Sequence, residues 1–134
     1  MKETAKGTAR EATILVIVYE QIIRHILARM LTAKGHKVVT CSVGFDGIRE
    51  FEKGKGKFDL VMIDIILPDV NGLDVGKRIK KISQETPVVL IKGWGRDLDK
   101  EETKKSGIDL IVSKPLYMDK TLRLVEDVML TDGR

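Results

Sequence analysis

A chain of 134 residues, 43% hydrophobic and 33% charged, is sized for one globular domain around one core. Its formal net charge of +4 is mild and no Lys/Arg cluster stands among aromatics, so a nucleic-acid partner is not expected. The single cysteine, Cys41, excludes an intrachain disulfide, and no apolar run approaches the ~20 residues that cross a bilayer; the expectation is a cytoplasmic protein with no membrane partner.

Residues 1–12 are polar and lack the apolar stretch of a signal peptide, which predicts a disordered leader ahead of one domain over 13–131. Residues 14–19 (ILVIVY) form the first apolar run and predict a strand. A helix is predicted over 21–33, with Ile22, Ile23, Ile26, Leu27, Met30 and Leu31 on its apolar face and Gly35 closing it. Strand 37–41 and helix 45–53 follow, then strand 58–63, which runs into Asp64. Gly54-Lys55-Gly56-Lys57 lacks both the Lys-Ser/Thr order and the preceding strand of a phosphate loop, so it is read as a connector. Asn71-Gly72 marks a turn before helix 73–82. Strand 87–91, an almost wholly polar helical stretch over 97–106, strand 108–112 and helix 118–130 complete the pattern.

Continuous apolar strands alternating with helices predict a parallel sheet covered on both faces, a doubly wound α/β fold. Ligands of such folds bind where strands end, which selects Val18, Tyr19, Glu20, Cys41, Ser42, Asp64, Lys92 and Lys114. Cys41 reads as a small buried side chain, His25 as a surface residue and His36 as a loop residue; with no third ligand, no zinc site is expected.

The stretches DLVMIDIILPDVNGLDV (59–75), TPVVLIKGWG (86–95) and SGIDLIVSKP (106–115) carry a resemblance. Over about 13–130 the chain resembles a response-regulator receiver domain. The resemblance implies the flavodoxin-like strand order 2-1-3-4-5 and a cis Lys114–Pro115 bond. It implies that Asp64 stands at the phosphoacceptor position, served by a histidine kinase, with Lys114 as the lysine that contacts the phosphoryl group. The departures concern the same pocket. Receivers end the first strand with two acids that hold Mg²⁺, and here those positions are Val18 and Tyr19, with Glu20 one place further on. Lys92 replaces a Ser/Thr hydroxyl, and Ile111 replaces a Phe or Tyr. Magnesium requires hard oxygen ligands, so neither a metal nor another cofactor is expected.

Three readings follow. In the first, the pocket is an engineered one: Val18, Ile63, Ile66 and Ile111 are candidates to surround Lys92, strand parity leaving open which of them face it, with Lys114 as a nearby cation, Tyr19 as a proton donor or acceptor and Trp94 as either a lid or a surface anchor. Such an amine would form a Schiff base with a small carbonyl compound, as in retro-aldol cleavage. Asp64 opposes that chemistry, and an ion pair between Lys92 and Asp64 is the simpler expectation. In the second, the chain is a receiver or pseudo-receiver acting through protein–protein contacts. In the third, Asp64 still accepts a phosphoryl group by an unusual route.

Overall fold

The computed structural model describes residues 11–54, 56–93 and 98–131. Most of the expected leader and Trp94 lie outside the described residues. In chain order the elements are β1 (Thr13–Ile17), α1 (Gln21–Ala33), β2 (Lys37–Cys41), α2 (Gly44–Lys53), β3 (Leu60–Asp64), α3 (Gly72–Ile82), β4 (Val88–Lys92), α4 (Lys100–Lys105), β5 (Leu110–Ser113) and α5 (Met118–Thr131). The strands form one parallel sheet in the order β2-β1-β3-β4-β5, as the flavodoxin-like reading requires.

Strand side chains alternate between faces, and two apolar layers result. Leu15, Ile17, Val61, Ile63, Val88 and Leu90 pack with Ile48 and Phe51 of α2 and Leu73, Val75 and Ile79 of α3. Ile14, Val16, Val18, Leu60, Met62, Val89 and Ile91 pack with Leu27, Met30 and Leu31 of α1 and Val125 and Met129 of α5. Every β3 residue is buried, because β3 is central and covered on both sides.

Local chemistry moved several boundaries. The side chain of Asp99 accepts hydrogen bonds from the Glu101 and Glu102 amides, so α4 starts at Lys100 rather than near residue 97. Only Thr103 of α4 is buried, in keeping with its polar sequence. On α1 the apolar face is wider than the contact it makes. Residues 22, 23, 26, 27, 30 and 31 span an arc of roughly 180° at 3.6 residues per turn, and the sheet covers the half that carries Leu27, Met30 and Leu31. Ile22 and Ile26, expected in the core, are 74% and 52% exposed. His25 is exposed as expected.

At the amino ends of the strands, the amides of the first residues find side-chain acceptors. Thr13 N–H donates to Asp59 Oδ2 at 2.9 Å, and Val88 N–H to Asp109 Oδ2 at 2.7 Å. Ala12, assigned by sequence to the leader, is fully buried and donates its N–H to His36 Nδ1 at 3.0 Å. His36 therefore does more than fill a loop. Its Nδ1 accepts, so the ring is the neutral Nε2–H tautomer.

Burial pushes the His36 pKa below its usual value of 6.5, against the opposing pull of Glu126 and Glu11. A depressed histidine stabilises the fold fully above pH 6.5, and that contribution is lost as the pH falls through its folded value. The urea midpoint should fall on acidification below pH 6.5, and His36→Gln should flatten the dependence.

Candidate functional site

The carboxyl edge of the sheet gathers around Asp64, the last residue of β3 and 1% exposed. A carboxylate that far from water needs compensation. Its Oδ1 accepts from Ile66 N–H at 3.1 Å, and its Oδ2 lies 2.8 Å from Lys114 Nζ. Lys114 follows β5, held by its own N–H donating to the Lys92 carbonyl at 2.9 Å, and its bond to Pro115 is cis. The same ammonium lies 2.8 Å from Glu20 Oε1. Glu20 is the N-cap residue of α1 but makes no side-chain cap, because its carboxylate reaches Lys114 instead.

One ammonium thus bridges two carboxylates. Burial pulls the Lys114 pKa down, but hydrogen bonds and charge from Asp64 and Glu20 outweigh it, and the net shift is upward. The two arms differ in strength. The Asp64 carboxylate is 2% exposed, whereas that of Glu20 is 58% exposed and screened by water.

The turn after Asp64 is equally constrained. A Cβ on Gly72 would sit 2.2 Å from the Asp64 carbonyl oxygen, so only glycine lets α3 begin so close to β3. Asn71 caps α3 by accepting from Leu73 N–H. Asp69, in the same turn, accepts from the Gly44 and Phe45 amides at 2.8 and 2.9 Å. It caps α2 from a distance, since Val43, the local N-cap, has no side chain for the task. Slight desolvation raises the Asp69 pKa, but the backbone hydrogen bonds outweigh it and lower the net value.

The other residues proposed from sequence do not form one enclosure. Lys92 ends β4 and is half-buried. Alternation sets it on the side of Val88 and Leu90, while Asp64 follows Leu60 and Met62 on the other side. The expected Lys92–Asp64 ion pair is replaced by Lys114–Asp64. Val18 is fully buried in the α1/α5 layer, and Ile63 is fully buried in the α2/α3 layer. Ile66 is 53% exposed, and half-buried Ile111 packs against the layer of Ile63. Tyr19 is 56% exposed, on a turn pinned by Arg24, whose Nη1 donates to the Val18 and Tyr19 carbonyls at 2.9 Å each. A strand run is apolar on both faces, so sequence proximity alone did not tell which side chains meet. Sequence reasoning had noted Glu20 without its role and had missed Arg24 and Asp69; the one signal for Glu20 was an acid displaced by one position.

The donor set does not fit a magnesium ion. Val18 offers no ligand atom, Asp64 and Glu20 already share an ammonium, and no group of three or more His, Cys, Asp or Glu suited to a metal occurs among the described residues.

A family model described as response regulator receiver domain matches residues 14–126. The chain belongs to the response-regulator receiver family. It is 32% identical over 116 residues to the transcriptional regulatory protein AfsQ1 of Streptomyces coelicolor, covering 84% of this chain and 50% of that protein. It is 32% identical over 109 residues to the transcriptional regulatory protein DltR of Streptococcus agalactiae, covering 81% and 48% respectively. The chain therefore spans about half the length of the curated relatives it matches. A response regulator receiver domain from Clostridium thermocellum superposes with a TM-score of 0.83 at 28% identity, covering 91% of this chain and 97% of that one. A CheY-like receiver from Methanospirillum hungatei, at 18% identity and a TM-score of 0.85, shares the fold.

Two substitutions in this receiver should separate the arms of the Lys114 bridge. Lys114→Met strands a buried carboxylate and should cost about 3 kcal/mol in urea denaturation. Glu20→Gln removes a screened contact and should cost less than about 1 kcal/mol. Because the Lys114 pKa is raised, the bridge stabilises fully below the usual lysine value of 10.5 and is lost as pH rises through the folded value.

Proposed function

We propose that this receiver signals through protein–protein contact and does not use Asp64 as a magnesium-dependent phosphoacceptor. The observation that carries this reading is the Lys114 ammonium, 2.8 Å from both Asp64 and Glu20. Phosphoryl transfer needs charge neutralised on the transferred oxygens, and a bound cation does much of that work. Here the cation is tethered to the protein and spent on two carboxylates. The donors that would hold a mobile one are replaced by buried Val18 and exposed Tyr19.

The partner proposed is a protein of the two-component class, a histidine kinase or a downstream regulator, engaged in a state that Asp64 phosphorylation does not control. The names of the relatives support a role in transcriptional regulation for the whole protein. The amine-catalyst reading loses its support, because desolvation of Lys92 required an apolar enclosure and Val18, Ile63 and Ile66 lie on different sides of the sheet or in solvent.

The test is incubation with acetyl phosphate and magnesium, followed by phosphate-affinity electrophoresis. The wild-type chain should remain unmodified, and Tyr19→Asp, at an exposed position, should gain magnesium-dependent modification sensitive to hydroxylamine. Wild-type phosphorylation that disappears in Asp64→Asn would overturn the reading.

A further inference from the structure

The opposite edge of the sheet carries a feature that the receiver function leaves unused. The carboxyl end of α3 and the segment from α4 to β5 enclose a cleft of about 470 Å³. Lys77, Lys80, Lys81 and Lys105 line it, four ammonium groups against the single carboxylate of Asp109. In sequence these lysines fall in two stretches, KRIKK and KK; the packing of α3 beside the α4–β5 turn brings the two together.

The floor is preorganised. The Lys80 side chain is 12% exposed, an unusual degree of burial for a lysine, and its Nζ lies 2.7 Å from Asp109 Oδ2 and donates to the Gln84 carbonyl at 3.1 Å. Its stem crosses Gly107, whose φ of +79° and missing Cβ make room: a Cβ there would come within 3.1 Å of Lys80 Cγ. An ammonium carries three hydrogens, and these contacts use two. Lys81 and Lys105, both exposed, form no ion pair among the described residues, and Lys77 has distant ones, at 3.8 Å to Asp74 and 3.9 Å to Glu102. Lysines in a last helical turn complement the helix dipole, which accounts for a cation at each helix end. It does not account for two ends delivering their cations to one cleft, where they repel each other.

We propose that this cleft binds an oligophosphate group, with Lys80 as the fixed floor and Lys77, Lys81 and Lys105 closing around adjacent phosphates. Lysine binds phosphate as a point charge, and a chain of phosphates matches a cluster of such charges better than a lone anion does. The volume falls within the ~300–1,000 Å³ usual for small-ligand sites. The site is separate from Asp64, at the other end of the strands.

Isothermal titration of the full chain with sodium tripolyphosphate, in magnesium-free buffer, tests this. One binding event is expected, weaker by about tenfold in Lys81→Glu/Lys105→Glu and unchanged in Asp64→Asn. Lys34→Glu/Lys37→Glu, at exposed positions on the far edge of the sheet, makes the same change in net charge and should leave the affinity unaltered. Thermal melts of both double variants verify folding. A nucleoside triphosphate run in parallel identifies the source: equal affinity means that the phosphate chain alone is read, and tighter binding means that a nucleotide is. No binding of tripolyphosphate, or equal weakening by the two double variants, would overturn the proposal.

Discussion

A carboxylate at the end of the central strand, almost sealed from water, is the constraint to which this edge of the molecule answers. Asp64 has to be neutralised, and the neutralising group arrives from β5 as Lys114. That ammonium also takes Glu20 from the start of α1, so three chain segments distant in sequence meet at one nitrogen. The turn that follows Asp64 is fitted just as closely. Gly72 lets α3 start against the Asp64 carbonyl, and Asp69 reaches across to cap α2.

The same arrangement explains why a recognisable receiver pocket carries unfamiliar electrostatics. A diffusible metal ion and a tethered ammonium both neutralise a carboxylate, but the tethered one adds no open coordination position for a phosphate oxygen. Glu20, one place beyond Val18 and Tyr19, places its carboxylate 2.8 Å from the Lys114 ammonium. The two ends of the sheet then differ in kind. At the carboxyl end one ammonium, Lys114, lies between two carboxylates. At the amino end, Lys81 and Lys105 line a cleft and form no ion pair among the described residues.

Much was legible in the sequence because it depended on local period and punctuation. Apolar runs of strand length between helical patterns made the parallel α/β fold readable, and the strand ends pointed to Asp64 and Lys114. The legibility failed where a face had to be assigned. Ile22 and Ile26 belong to an apolar arc wider than the sheet covers, so part of a convincing helix face is left in solvent. Val18, Ile63 and Ile66 looked like the walls of one pocket because they flank strand ends, yet Val18 and Ile63 pack on opposite faces of the sheet and Ile66 is left exposed.

The sequence by itself determined the order of elements and the parallel α/β layering they form, because each follows from patterns only a few residues long. Only the tertiary structure decided which cation neutralises Asp64, which helix Asp69 caps and where the lysines of KRIKK and KK converge. Those outcomes rest on distances between segments tens of residues apart, set by strand register and helix docking. No local period in the chain encodes such distances.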